Sequence, residues 1–304
     1  MIGLEPLLVS PTSLTEAYTL LAPTHGADDG AGPWRPIAGG TDVMVQLAAA
    51  AGEAESSTAE TPSGPGRLLD LWGLDELRGI GLSEDGRELV LGALTTYTEI
   101  RRSPLCATHL PALAEAAATI GAAQIQNRGT LGGNVVNASP AGDTLPVLLA
   151  ADARIVLGSA RGERSVAAVD FWPAYRRTVR ADDELVLRLR IPLPTRREMR
   201  FRKVGTRRAQ AISKVVVALA WREDGGVWRD VRLAFGSVAA TPIRAHETEA
   251  VLEGAAPRQT VADHAVAVLG RELQPIDDIR STAAYRSAVA GRVLHRLLRD
   301  AGGW

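Results

Sequence analysis

Apolar and polar positions alternate over many short stretches of this chain, and runs with helical spacing lie between them. Residues 184–191, ELVLRLRI, alternate as a strand with one buried face does. Apolar positions in residues 280–300 recur at helical spacing, which predicts a long helix packed on a core. Strands and helices do not follow each other in a regular repeat. The predicted fold class is therefore α+β rather than a repeating βαβ array.

The pattern changes near residue 194, and we expect a second domain from there onward. Three long strands and then three helices are predicted, with strands at 199–204, 212–222 and 228–238 and helices at 242–253, 259–273 and 280–300. Before this change, residues 51–66 are polar and of low complexity. Such a segment has too few large apolar groups to offset the entropy of ordering. We predict a mobile loop there, inside the first domain.

Two glycine-rich segments hold the candidate chemistry. In residues 36–43, PIAGGTDV, a short strand runs into a glycine pair and then into a predicted helix, which is typical of an anion site. Residues 120–146 are so densely punctuated by glycine and proline that we predict a loop without regular helix or strand, offering rows of N–H donors. Neither segment fits GxGxxG or GxxxxGK[ST], so neither a Rossmann dinucleotide site nor a P-loop is supported. Ordinary glycine-rich connections remain the alternative at this point.

Composition excludes several classes of function. The 304 residues have a formal net charge of −1, which indicates neither nucleic acid nor an anionic membrane as partner. The longest apolar runs fall short of the roughly 18 residues of a membrane span, and no signal peptide is evident, so we expect a cytoplasmic protein. Cys106 is the only cysteine, so this chain's own thiolates cannot hold an Fe–S cluster. The histidines lack zinc-type spacing, and we predict neither a metal site nor a catalytic residue.

Five segments, in order along the chain, resemble the FAD-binding (medium) subunit of the molybdenum hydroxylase family, which includes xanthine and carbon monoxide dehydrogenases. They are AGGTD at 38–42, LGALTT at 91–96, IGAAQIQNRGTLGGNVVNASPAGD at 120–143, DDELVLRLRIPL at 182–193 and FRKVGTRRAQAISKVVVALA at 201–220. The resemblance implies an FAD-binding domain of the vanillyl-alcohol-oxidase (PCMH) type at 1–193. Its two α+β lobes would span about 1–66 and 67–193. A C-terminal domain with a three-stranded sheet and helices would follow at 194–304.

The resemblance also implies a non-covalent FAD site. Backbone N–H groups of Ile37 to Val43 would wrap the pyrophosphate, and Thr130 to Asn134 would form the second pyrophosphate loop. Asp143 would accept hydrogen bonds from sugar hydroxyls, and Lys203 would lie near the flavin, where a cation stabilises the reduced ring. The full set implied to bind the cofactor is Pro36, Ile37, Ala38, Gly39, Gly40, Thr41, Asp42, Val43, Ile120, Thr130, Leu131, Gly132, Gly133, Asn134, Asp143, Val186 and Lys203.

Two positions depart from the family pattern. Ile120 stands where some relatives place an aromatic residue that stacks on the flavin. Ala211 stands where relatives often have an acid, in a loop associated with access to the flavin. The packing on the flavin ring and the choice of electron acceptor therefore stay open.

The function implied is that of an electron-transfer subunit in a molybdenum-containing dehydrogenase. A molybdopterin-binding large subunit would oxidise the substrate, and a small subunit with [2Fe–2S] clusters would pass electrons to FAD. NAD+ or another acceptor would receive them, and the assembly would be a dimer of heterotrimers. A stand-alone flavin-dependent oxidoreductase of the same fold, or a flavin-fold scaffold, are the alternatives.

Overall fold

A computed structural model describes residues 7–23, 33–56, 66–207 and 210–304, and within them three β-sheets with helices between and around them. The side chains of residues 50–56 are outside this description. The predicted α+β class is confirmed. No helix in the described ranges is long and apolar enough to cross a membrane.

The first sheet is small and parallel. Its strands are β1 (Leu7–Val9), β2 (Trp34–Ile37) and β3 (Arg67–Asp70), in the order β1-β3-β2. Helix α1 (Leu14–Leu21) connects β1 towards β2, and α2 (Val43–Ser56) follows β2. Because β3 pairs with both other strands, this sheet continues past residue 66, where we had placed the boundary between the lobes.

The second sheet has five antiparallel strands in the order β4-β5-β8-β6-β7. The strands are β4 (Ile80–Leu82), β5 (Glu88–Gly92), β6 (Arg154–Ser159), β7 (Gly162–Ala167) and β8 (Leu185–Pro192). Six short helices lie between β5 and β6: α3 (Tyr97–Arg102), α4 (Pro104–His109), α5 (Pro111–Ala118), α6 (Ala123–Arg128), α7 (Leu131–Asn137) and α8 (Leu145–Ala150). Five of them, all except α6, contribute side chains to one core with the sheet.

The third sheet separates two cores. Its antiparallel order is β12-β11-β10-β9, from β9 (Glu198–Val204), β10 (Val215–Asp224), β11 (Val227–Gly236) and β12 (Ile243–Arg244). Val216 and Ala218 pack with α8 and its neighbours, whereas Val217 and Leu219 pack with the C-terminal helices. Those helices are α9 (His246–Leu252), α10 (Gln259–Glu272) and α11 (Ala283–Gly302). The three strands expected here are present, and β12 adds a short fourth.

One prediction about a loop was wrong, and a second was wrong for part of its length. Residues 120–146 contain α6, α7 and the start of α8, because Thr130 caps α7 and the two glycines of that helix fit against close neighbours. Residues 51–56 continue α2 as helix, in keeping with its alanine-rich sequence. The rest of the predicted mobile loop, residues 57–65, lies outside the described residues.

Candidate functional site

Both glycine-rich segments line one cleft of about 680 Å³ between the first two sheets. Twelve of the predicted residues lie along it: Pro36, Ala38, Gly39, Gly40, Thr41, Asp42, Val43, Thr130, Gly132, Gly133, Asn134 and Val186. Ile37 and Leu131 do not line it; their side chains are buried behind it. The fold thus brings together two segments that are about ninety residues apart in sequence.

The first glycine loop joins β2 to α2. Gly40 has φ +75°, a left-handed conformation that favours glycine. A Cβ on Gly39 would overlap the carbonyl oxygen of Arg128, so the loop passes directly against the end of α6. Within the described part of the chain, no backbone carbonyl accepts a hydrogen bond from the amides of Gly39, Gly40 or Thr41. These N–H groups are therefore available to an anion in the cleft.

The second glycine loop is bonded internally. The amide of Leu131 donates to the carbonyl of Thr95 (2.9 Å), and that of Gly132 donates to the carbonyl of Ala93 (2.8 Å). The amide of Gly133 donates to Thr130 Oγ1 (3.1 Å) and that of Asn134 to Thr130 O (3.0 Å). The row of free N–H donors that we predicted here is absent from these four residues, because they form the capped start of α7.

Asn134 offers a side-chain donor in place of those amides. Its Oδ1 accepts a hydrogen bond from the hydroxyl of buried Thr144 (2.5 Å). With the oxygen so fixed, the amide NH2 group is left to donate to a ligand. Asn134 lines both this cleft and the one beside it.

A second cleft of about 710 Å³ adjoins the first and contains Ile120, Asp143 and Lys203. Lys203 Nζ lies 2.6 Å from Asp143 Oδ2 and 3.0 Å from the carbonyl oxygen of Thr119. The hydroxyl of Ser213 donates to Asp143 Oδ1, and that of Thr119 lies 3.5 Å from Oδ2. A carboxylate has about four lone-pair positions, so Asp143 has room for roughly one more donor.

The protonation of Asp143 reflects two opposed influences. Burial raises the pKa of this carboxyl, while Lys203 and the hydroxyl of Ser213 act in the opposite direction. The geometry is that of a buried ion pair with further hydrogen bonds on both partners, which is how buried charges are retained.

Arginines near the clefts were missed in the sequence. Arg176 lines both clefts, has φ +51°, and donates from Nη1 to Asn137 Oδ1 (3.0 Å). Arg35 and Arg180 line the first cleft, and burial lowers the pKa of Arg180. The chain has 32 arginines against two lysines, so no single arginine stood out. Only contact in the folded chain distinguishes these three.

The joined clefts suit a long cofactor with a pyrophosphate at its middle. Thr41, Asp42 and Asn134 line both clefts, next to the free amides. Apolar side chains line each cleft as well: Leu71, Leu94, Leu185 and Val186 in the first, and Ile120, Ile125 and Ile212 in the second. Such a lining combines anion-binding donors with apolar surface in both clefts, which fits the purine, diphosphate and ring system of FAD. Among the described residues, no group of acids, histidines and cysteine is placed to hold a metal ion.

Two family models match the chain: "FAD binding domain in molybdopterin dehydrogenase" over residues 4–194, and "CO dehydrogenase flavoprotein C-terminal domain" over residues 200–301. The glyceraldehyde dehydrogenase medium chain of Sulfolobus acidocaldarius is 32% identical over 281 residues, which is 92% of each chain. The xanthine dehydrogenase FAD-binding subunit of Escherichia coli O157:H7 is 30% identical over 298 residues, 96% of this chain and 95% of that one. A chain in a structure of carbon monoxide dehydrogenase from Hydrogenophaga pseudoflava matches with TM-score 0.84 at 28% identity, covering 97% of this chain and 96% of that one.

Proposed function

This chain belongs to the FAD-binding medium subunits of the molybdenum hydroxylases, a family of oxidoreductases, and we propose that it binds one FAD across the two joined clefts and transfers electrons through it. The observation that supports this is the set of free amides at Gly39, Gly40 and Thr41, which line the first cleft and of which Thr41 lines the second as well. Bound FAD supplies the chemistry of accepting electrons one at a time or in pairs.

Different residues of the chain would bind different parts of FAD. The free amides of the first glycine loop would neutralise the diphosphate, with the NH2 group of Asn134 and the guanidinium of Arg176 beside them. Val186 would offer apolar surface at one end. At the other, Lys203 would place positive charge next to the flavin, where negative charge develops on reduction.

Partners supply the remaining redox centres in this proposal. The relatives are named as medium chains or as subunits, and the one cysteine of this chain cannot ligate an Fe–S cluster by itself. We therefore propose a molybdopterin-binding large subunit and a [2Fe–2S] small subunit as partners, in a dimer of heterotrimers. NAD+ as acceptor and a cytoplasmic location remain predictions from the sequence.

The substrate would be selected by a partner rather than by this chain. The similar proteins are named for glyceraldehyde, xanthine and carbon monoxide, which share little chemistry. A subunit that only transfers electrons does not need to recognise any of them.

Titration of the purified full-length chain with FAD tests the proposal. We expect about one FAD per chain, a yellow protein with a perturbed flavin spectrum, and release of intact FAD on denaturation because the attachment is non-covalent. A correctly folded chain that leaves the spectrum of added FAD unchanged would refute it. Turnover of a reduced organic substrate by the isolated chain would favour a stand-alone oxidoreductase instead.

A further inference from the structure

Ser237 is a buried serine in a backbone conformation that favours glycine. It follows β11, has φ +65°, and is 7% exposed. A non-glycine residue stays in this region only where its surroundings fix it, and such positions concentrate at functional sites. The hydrogen bonds of Ser237 show which parts of the fold it connects.

Its backbone and side-chain polar groups each have a partner in a different element. The amide donates to the carbonyl of Pro140 (2.7 Å), in the segment that leads to Asp143. The hydroxyl donates to the carbonyl of Ser213 (2.9 Å), just before β10. The carbonyl accepts from Nη1 of Arg286 (2.9 Å), in α11.

Two of these contacts lead to the same carboxylate. Ser213, itself 1% exposed, donates its hydroxyl to Asp143. Pro140 precedes Asp143 by three residues in the same short segment. Asp143 in turn pairs with Lys203. Ser237 is therefore hydrogen-bonded to Ser213, which donates to Asp143, and to Pro140, which lies in the same segment as Asp143.

The C-terminal helix α11 contacts Ser237 through Arg286, which donates to the Ser237 carbonyl. Arg286 is 4% exposed, and its Nη2 lies 2.7 Å from Asp278 Oδ1. Asp278 also accepts from the amides of Arg280 and Ser281, so the arginine is anchored by a fixed carboxylate. Continuous hydrogen bonds thus run from α11 through Ser237 and Ser213 to the Asp143–Lys203 pair.

We propose that Ser237 is a positioning residue for Lys203: its hydroxyl fixes Ser213, Ser213 orients Asp143, and Asp143 holds the ammonium group in the second cleft. Lys203 has three N–H donors, of which Thr119 and Asp143 occupy two, so one is left for a ligand. The inference rests on the proposed function only in taking the ligand to be the flavin end of FAD.

The lysine content of the chain provides a direct readout. Lys203 and Lys214 are its only lysines, so protein labelled with 13C at the lysine ε-carbon gives two NMR signals. Lys214 follows Ser213, and its carbonyl lies 3.3 Å from Arg286 Nη1, so its backbone shares the network. Its ammonium group instead lies 4.9 Å from the centroid of the Tyr285 ring, away from Asp143, and reports any general displacement of this segment.

Two variants separate the hydroxyl of Ser237 from its backbone. Ser237→Ala removes the hydroxyl and keeps the left-handed backbone, while Ser237→Gly removes it and relieves the backbone as well. We expect both to shift the Lys203 signal more than the Lys214 signal, in the direction that Ser213→Ala shifts it. We also expect FAD affinity to fall by roughly two- to tenfold, as for the loss of one hydrogen bond.

The outcomes are distinct from those that judge the proposed function. The lysine signals are recorded on the full chain without FAD, so they decide the inference even if the wild-type chain rejects FAD. A Lys203 signal unchanged in both variants overturns it, as does a Ser237→Gly chain that matches wild type. Equal shifts of both lysines would also overturn it, because they would show a general displacement of the segment rather than positioning of Lys203.

Discussion

The two glycine loops that line the first cleft look alike in sequence, yet they differ in their hydrogen bonds. The amides of Gly39 and Gly40 have no backbone acceptor within the described ranges, whereas those of Gly132 and Gly133 are both bonded inside the protein. Gly40 needs its left-handed φ, while Gly132 needs space, since an added Cβ would lie 2.7 Å from the Cβ of Ala93 and 2.8 Å from its carbonyl oxygen. One loop therefore provides donors, and the other provides close packing.

Under the proposed function, the difference predicts that the diphosphate binds on the side of the first loop. Charge on a bound diphosphate would be met by the amides of the first loop, and the second loop would contribute mainly through the side chain of Asn134. Gly39 brings the first loop close to the second, because it lies against the backbone of Arg128, two residues before Thr130. The Arg128 guanidinium lies 3.7 Å from the centroid of the Trp72 ring, which ties α6 to the residues after β3.

The substitution expected to have the largest effect is Gly39→Ala. The new methyl group would overlap a backbone oxygen, so either the first loop or the end of α6 must move. Overpacking of this kind costs about 1–3 kcal/mol of stability. Displacement of the free amides should also weaken FAD binding by at least about tenfold, equivalent to about 1.4 kcal/mol. Thermal unfolding and an FAD titration measure the two effects.

Gly73→Ala is the matched control for this substitution. An added Cβ at Gly73 meets nothing within 4 Å, and the residue lies in the same part of the fold. Its stability and FAD affinity should both stay near wild type. Wild-type affinity in Gly39→Ala would show that the first loop does not bind the cofactor.

Gly132→Ala should separate stability from binding. The added methyl group would meet the side chain and backbone of Ala93, at a cost of about 1–3 kcal/mol in the free energy of unfolding. Because the amides of this loop are not the proposed donors, FAD affinity of the folded chain should change far less than in Gly39→Ala. Gly270→Ala in α10 is the control, since its Cβ meets nothing and alanine favours helix by up to about 1 kcal/mol. Strong loss of FAD affinity with unchanged stability in Gly132→Ala would contradict the comparison.

Much of the fold could be predicted from the sequence, because many strands and helices follow from the local pattern of apolar and polar residues. The alternation in 184–191 identified β8, and the helical spacing in 280–300 identified α11. The family was also identified correctly from five short segments, as the matches over residues 4–194 and 200–301 confirm. The assignment of individual residues to FAD, like the division into domains and lobes, stays a prediction.

The error in the second glycine-rich segment came from contacts between distant segments. Residues 131–137 contain two glycines and were predicted to lack helix, yet burial against Ala93 and the cap by Thr130 stabilise α7. The amides of this segment donate to protein oxygen atoms in the same contacts, although the sequence predicted that they would be free to bind a ligand. A glycine pair alone does not distinguish a donor loop from a packing site, because that depends on which backbone lies opposite.

Thr144→Val should have the smallest effect, and it tests the side chain that replaces those amides. The substitution nearly preserves volume and removes the hydroxyl that donates to Asn134 Oδ1. Freed of this bond, the amide of Asn134 loses its fixed orientation, and FAD affinity should fall by roughly two- to tenfold, as for one hydrogen bond. Thr248→Val removes an equally buried hydroxyl, bonded to Glu272 Oε2 (2.5 Å), and should lower stability without changing FAD affinity. If both valine variants bind FAD as wild type does, the second loop takes no part in binding through Asn134, and the first loop and the arginines must account for the diphosphate.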